Sequence, residues 1–566
     1  MTLNFSIKTE KIEKAKAWIG ALSWEKIIVA LATVISVSAI VYFYHKGWTV
    51  AYGDAESHLN IAKRVVHSLT PGFAQLGGIW LPLPHVLMIP FVYFDTLWRT
   101  GIAGAIISGI SFVVSSLYLY KLTFLLTKSK LASFVAAVVF MSNLNILYMQ
   151  STPMTELPLI VFFILSSFYF VKFLFKKDDV VQLVLAALFA FCASLSRYDG
   201  WFLVMFEAGV LCLVYLPWDK IPRRIKEIKT YFNKDKFSLL HGRLVLFSVL
   251  AMFGIALWFG WDYLILGDPL YFTHSQFSAK SQQNEWSIRG MLPAHNNPFL
   301  SLLYYSVTAF SSVGVIVYPI AIAGLIWYLA SERKNLAAWC VAIIMLVPFV
   351  FNVVTLFLGQ SVIFIPHISP VSFEWRLFNV RYGVMMVPAA AVFFGYVFYK
   401  VKNSAKLLLS SLFLFQFVLF GVGYSKIISL EDGVRGLSSA IAKLPDVQNF
   451  INKEYDGGLV LEDDFARTMS IVRSTIPMQN TIYVGNKPFW EDSLVNPEKY
   501  ARWIVMQEND TLWKNFINNQ ANQDHMYKYY VKVYTSPQIL VFKRNTEILS
   551  EYDDLYKRYD ELAVKK

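Results

Sequence analysis

Apolar runs of about 18 residues or more, nearly free of charge, recur between residues 27 and 424 and then cease, leaving roughly 140 residues of ordinary polar composition. A helix needs about 20 apolar residues to cross the ~30 Å hydrocarbon layer of a bilayer. The pattern therefore predicts about eleven transmembrane helices, near residues 27 to 44, 102 to 124, 131 to 148, 157 to 174, 180 to 196, 201 to 217, 244 to 266, 304 to 329, 336 to 357, 382 to 399 and 407 to 424. The later part is different in kind. It carries β-rich runs (GLVLED near 458, TIYVG near 481, RWIVM near 502, then YYVKVY and ILVFKR) separated by helical stretches, the signature of a small α/β unit. The expected fold class is an all-α polytopic membrane domain with a small C-terminal soluble α/β domain. Its parts are an N-terminal tail (1–26), the membrane domain (27–424) and the soluble domain (425–566).

Composition agrees with this picture, since 56% of the residues are hydrophobic, against about 45–50% in soluble domains. Charge then sets the orientation. The net charge of +12 lies mostly in short segments between apolar runs, with no nucleic-acid-binding motif, so nucleic acid is not an expected partner. Segments 1–26, 128–130, 172–177, 218–243, 332–334 and 400–406 hold about 23 Lys and Arg, against about nine in the loops of opposite sidedness. The positive-inside rule places the N-terminus in the cytoplasm and, after an odd number of spans, the soluble domain outside. Residues 1–26 have no signal-peptide apolar core and read as a retained cytoplasmic tail. The run LPLPHVLMIPFVYFDTLW (81–98) is apolar enough for a twelfth span, but it contains Pro82, Pro84 and Pro90, and a further span would put the eight-charge segment 218–243 outside. It is expected to lie in or against the outer leaflet as an interfacial or re-entrant segment. Cys192, Cys212 and Cys340 all sit in apolar runs, so no disulfide framework is expected. A lysine-rich, cysteine-poor composition points to a prokaryotic plasma membrane.

With sidedness assigned, nearly all the informative polar residues gather on the outer face. The loop after the first span reads YGDAESHLNIAKR, and Leu59, Ala62, Val65, Val66 and Leu69 have the spacing of an amphipathic surface helix over 55–69. Asp54 at its start either caps the helix or, with Glu56 behind it, forms a general base and its partner. Glu156, in QSTPMTELPL at the outer end of the third span, is either held by the positive helix end or recruited for chemistry, because a lone carboxylate at the edge of lipid is costly. In SRYDGW, Arg197 and Asp199 are spaced to pair. The loop GDPLYFTHSQ offers His274 and Gln276 as sugar or acceptor contacts, with Asp268 and Pro269 as loop structure. FEWRLFNVRYGVMMVP puts Arg376, Arg381 and Tyr382 before the tenth span, where a guanidinium either snorkels to headgroups or clamps a phosphate bidentately.

Taken together, these residues resemble the GT-C superfamily of membrane glycosyltransferases, which includes protein O-mannosyltransferases, aminoarabinose transferases and, more distantly, oligosaccharyltransferase. The likeness covers 27–424 and rests on an acidic first-loop motif (Asp54, Glu56), a second acidic site at the outer end of the third span (Glu156) and basic residues in later outer loops. The first-loop motif is acid, Ala55, acid, whereas protein O-mannosyltransferases place two acids side by side. The resemblance implies an inverting transfer from a polyprenyl-phosphate sugar to an acceptor hydroxyl on lipid, glycan or protein. Asp54 is then the base, Glu56 or Glu156 its orienting partner, and Arg381, with Arg376 or Arg197 as substitutes, the ligand of the leaving phosphate. His58, Tyr382, His274 and Gln276 are left as substrate contacts, and the soluble domain is placed over the mouth of the site. No cofactor is required by this scheme. His58, four residues after Asp54, is similar to the oligosaccharyltransferase first loop and leaves a divalent metal open. The principal rival class is a polytopic transporter or flippase, which ordinarily carries midplane charges, broken helices and internal repeats. A noncatalytic scaffold and a lipid-linked polymer ligase are the others.

Overall fold

The computed structural model describes residues 23–215, 234–275, 278–369, 377–441, 446–463 and 469–545. The N-terminal tail through residue 22, much of the basic segment 218–243, and the candidate residues Gln276 and Arg376 lie outside the described residues. Five helices are long and apolar enough to cross a membrane: Trp24–His45, Ile102–Thr127, Glu156–Phe175, Val380–Lys400 and Asn403–Gly421. Three bent pairs raise the number to eight. Shorter apolar helices, Lys130–Met141 and Val180–Ser194, fall on two of the other expected runs, and Asp199–Tyr215 falls on a third. The chain is an integral membrane protein of predominantly helical build, ending in a small sheet.

The run expected as one span over 304–329 is instead two helices, Pro298–Val313 and Val317–Ser331, bent by 110°. The cause is local. Gly314 takes φ +112°, and a Cβ there would fall 2.4 Å from the Gln416 side chain. The Gln416 amide oxygen accepts from the backbone N–H groups of Ile316 (3.3 Å) and Val317 (3.1 Å). Unwound backbone in an apolar layer is tolerated where protein groups satisfy it, and here a lone glutamine on the last apolar helix does so.

Residues 81–98 form a helix of 10 residues, Leu83–Val92, followed by Asp95–Thr100. At 1.5 Å per residue the first is about 15 Å long, half a bilayer core. The amphipathic helix of the first loop runs Gly53–His67 and buries Ala55, Leu59, Ala62 and Val65.

The C-terminal part is a five-stranded mixed sheet. Strands β1 (Leu459–Glu462), β2 (Thr481–Ile482), β3 (Ala501–Gln507), β4 (Tyr530–Thr535) and β5 (Ile539–Arg544) lie in the order β2-β1-β3-β5-β4, all five at the runs expected from the sequence. β1 runs parallel to β2 and β3, and β5 runs antiparallel to β3 and β4. The sheet shares one apolar core with the first loop: Val50, Leu59, Ala62, Met88 and Trp98 pack with Val460, Ile471, Trp503 and Val541. Polar contacts close the seam. Arg99 donates to the carbonyls of Ile471 (3.2 Å), Ser474 and Ile476 (3.1 Å), and the Arg64 guanidinium lies 3.6 Å from the Tyr483 ring centroid.

Between the last apolar helix and the sheet, the chain is laid across the membrane domain. Leu437 N–H donates to Leu377 O (2.8 Å), Ala440 N–H to Ala51 O (2.8 Å), and Gly53 N–H to Ser438 O (2.9 Å). This strap carries the helix Ile428–Arg435. The first residues of the strap, Ile427, Ile428 and Leu430, pack against the main apolar core.

Candidate active site

Four chain segments deliver charged side chains to one place at the ends of the helices. Asp54 is in the first turn of Gly53–His67. Glu156 is the first residue of Glu156–Phe175, and Asp199 opens Asp199–Tyr215 just after Arg197. Arg381 comes from the 3-10 turn Val380–Met386 that leads into Val387–Lys400. The three acids that begin or nearly begin helices also meet the positive helix end, which favours a carboxylate there.

The Arg381 guanidinium bridges the two principal acids. Its Nη2 donates to Asp54 Oδ2 at 2.6 Å and its Nε to Glu156 Oε1 at 3.2 Å. Arg197 Nη1 donates to the same Glu156 oxygen (3.1 Å) and to Thr155 Oγ1 (3.1 Å), while its Nε reaches Asp199 Oδ2 (3.3 Å). Glu156 is fully buried, whereas the Asp54 side chain keeps 21% exposure. The Arg381 guanidinium rests on two rings, 4.9 Å from the Tyr52 centroid and 5.1 Å from that of Tyr382. A buried cation spread over two carboxylates and two aromatic faces is well compensated yet keeps its charge. The N-cap position of its helix belongs to Tyr52 and not to Asp54.

This cluster opens on a cavity of about 830 Å³. Its charged end is lined by Asp54, Arg197, Asp199, Arg381 and Tyr382, its apolar wall by Phe202, Phe351, Val354 and Leu358, and its rim by His274, Lys280 and Asn284. Met205, also on the wall, is 47% exposed. Such a cavity accommodates a charged head and an apolar chain together.

Six candidate residues are thus brought to the cavity: Asp54, His58, Arg197, His274, Arg381 and Tyr382. Glu156 stands just behind its lining. Glu56 is not among them, since its carboxylate accepts from Arg473 Nε, between β1 and β2, at 2.7 Å. His274 sits at the rim, its Nε2 2.6 Å from Asp268 Oδ2. The residue that sequence reasoning missed is His85, whose Nε2 lies 2.9 Å from His58 Nδ1, with Trp80 against the His58 ring. Burial pushes the His58 imidazole well below its usual range, the neighbouring His85 pushes it further, and burial takes His85 down to about 3. Both rings are therefore neutral at pH 7. Among the described residues no three His, Cys, Asp or Glu side chains gather as a metal-ligand set, and Asp54 and Glu156 are both engaged by Arg381. The site does not fit a resident divalent metal, and no step is derived through one.

The fold that holds this cluster is also found in solved structures. The chain is similar to ArnT, an aminoarabinose transferase, from Cupriavidus metallidurans in its structure bound to undecaprenyl phosphate, with a TM-score of 0.52 and 12% identity over 93% of this chain and 99% of that one. The apo state of the same enzyme gives a TM-score of 0.50 and 12% identity over 94% and 99%. The oligosaccharyltransferase of Archaeoglobus fulgidus in its apo form gives 0.46 and 12% identity over 93% and 75%. No protein-family model and no curated protein sequence matches the chain.

Proposed function

We propose that this protein is an inverting GT-C glycosyltransferase that moves a sugar from a polyprenyl-phosphate donor to an acceptor hydroxyl on lipid, glycan or protein. The observation that carries the reading is Arg381, a buried guanidinium bridging Asp54 and Glu156 at the head of a cavity with an apolar wall. The full count of eleven spans, the cytoplasmic N-terminus, the soluble domain outside and a prokaryotic plasma membrane belong to the same proposal, supported by the distribution of Lys and Arg. So does the division into a tail (1–26), a membrane domain (27–424) and a soluble domain (425–566).

In this scheme the donor's isoprenoid chain lies along Phe202, Phe351 and Val354, and its phosphate competes with Asp54 for Arg381. The more exposed carboxylate yields, because Glu156 is held a second time by Arg197. Released from the guanidinium, Asp54 becomes a competent base: it takes the acceptor's hydroxyl proton as the oxygen attacks the anomeric carbon. The bond from that carbon to the phosphate oxygen breaks on the opposite face, its electron pair leaves with the phosphate, and configuration inverts. Arg381 neutralises the growing phosphate charge, with Arg197 beside it. Tyr382 fixes both guanidiniums. His58 and His274 contact sugar or acceptor, and Glu56 anchors the soluble domain over the mouth through Arg473.

The test is single-turnover transfer with Asp54→Asn. Donor binding should persist and transfer should fall by about 10²–10⁴, the usual contribution of a general base. Transfer at the wild-type rate would remove Asp54 from the mechanism.

A further inference from the structure

Asp432 is a buried carboxylate that the reaction scheme leaves unused. It lies on the strap helix Ile428–Arg435 and is fully buried. Its Oδ2 is 3.2 Å from the Tyr52 hydroxyl, which is itself 2.6 Å from the Ser429 carbonyl. A phenol has one hydrogen, and the closer Ser429 oxygen is its natural acceptor. The Asp432 contact is then filled by the carboxylic acid's own proton. In keeping with that, burial pushes this carboxyl up to about 7.

The neighbouring Gly433 packs against the same ring. A Cβ there would lie 2.9 Å from Tyr52 and 2.5 Å from the Tyr148 hydroxyl, so only glycine allows the strap this close. Tyr52 is therefore gripped at its hydroxyl and on its edge by one short helix, and the Arg381 guanidinium rests on its face. The backbone N–H of Arg381 also faces the Asp432 carboxyl. The Nη1 of Arg381 has no hydrogen bond among the described residues, so the aim of the cation depends on Asp54, Glu156 and the rings beneath it.

We propose that Asp432 is a positioning residue: the strap holds Tyr52, and Tyr52 sets where Arg381 meets the phosphate. The entry to the soluble domain is thus part of the phosphate-holding apparatus, which gives the tail a role inside the site besides any role over its mouth. This rests on Arg381 being the phosphate ligand.

The experiment measures binding of undecaprenyl phosphate to the full-length protein at pH 6.5, where replacing Asp432 removes little charge. Asp432→Ala should weaken binding about tenfold, within the range by which residues off a ligand modulate its affinity. Asp432→Asn, which can still bond to Tyr52, should stay within about twofold of wild type. In an Arg381→Ala background, Asp432→Ala should have no further effect, since residues acting through one group are non-additive. Equal losses in both backgrounds, or Asn as damaging as Ala, would overturn the proposal. If Asp432→Ala does not fold, Tyr52→Phe carries the same comparison, because it removes the same anchor. Unchanged binding in Arg381→Ala alone would instead show that the reading of Arg381 is at fault.

Discussion

Replacing Arg381 with alanine is the perturbation with the most to say about this site. The substitution deletes a side chain that is 4% exposed and that donates to Asp54 at 2.6 Å and to Glu156 at 3.2 Å. Breaking a buried ion pair from one side costs about 3–5 kcal/mol because it strands the other charge. Glu156 keeps Arg197 at 3.1 Å, and Asp54 opens on the cavity, so neither is wholly stranded. The loss of stability should fall near the lower end, about 3 kcal/mol, which a well-packed domain survives. Turnover should suffer more visibly. Removing one preorganised donor from a developing anion costs about 10²–10³ in kcat, and Arg381→Lys should recover only part of it, because an ammonium cannot serve two carboxylates and a phosphate with one planar fork. The assay is sugar transfer at saturating donor by purified protein, with a melting curve recorded on each sample. Folded Arg381→Ala protein turning over within about threefold of wild type, where each tenfold is 1.36 kcal/mol of barrier, would refute the assignment of Arg381 to the leaving phosphate.

Other expectations follow from the same geometry. Arg473→Ala takes the partner from the part-buried Glu56 and loosens the seat of the C-terminal sheet, costing about 1–3 kcal/mol for the charge-assisted bond lost, seen as faster proteolysis at the seam with turnover nearly unchanged. His85 has a folded-state value near 3, below the ordinary 6.5, so the unfolded chain binds the proton more tightly between those limits. Its contribution to stability is whole above pH 6.5 and falls as pH drops towards 3, by about 2 kcal/mol at pH 5, and His85→Gln should flatten the acid limb of a melting profile. Gly314→Ala forces a Cβ against Gln416 at a positive φ and should cost about 2 kcal/mol or more, read from the melting midpoint.

What could be read from the sequence, and what could not, divides along the distance between partners. Apolar runs and β-rich runs are local signals: all five strands stand where they put them, and the apolar runs are helical, although three of them are bent pairs and not single straight spans. Asp54, Glu156, Arg197 and Arg381 were legible for a related reason: each is a charge at the margin of an apolar run, where an idle charge is expensive. Their pairing was not, since Arg381 and Asp54 are 327 positions apart. The partner of Glu56 is out of reach for the same reason, Arg473 being 417 positions away. Asp432 gave no signal at all, because SLEDGVR reads as an ordinary polar helix and only packing against Tyr52 buries it. The break at Gly314 left a faint trace, a glutamine at 416 inside an apolar run, since a polar side chain there needs a partner. His85 is hidden within the proline-rich run 81–98, whose apolar pattern speaks of membrane contact and not of chemistry.

The most direct measurement is transfer of labelled sugar by the purified wild-type protein from a panel of polyprenyl-phosphate and nucleotide donors, with lipid, glycan and peptide acceptors present. The account predicts transfer from the polyprenyl-phosphate donors alone, with inverted configuration at the anomeric carbon. Transfer from nucleotide sugars, or no transfer from any lipid donor by protein shown to be folded, would contradict it.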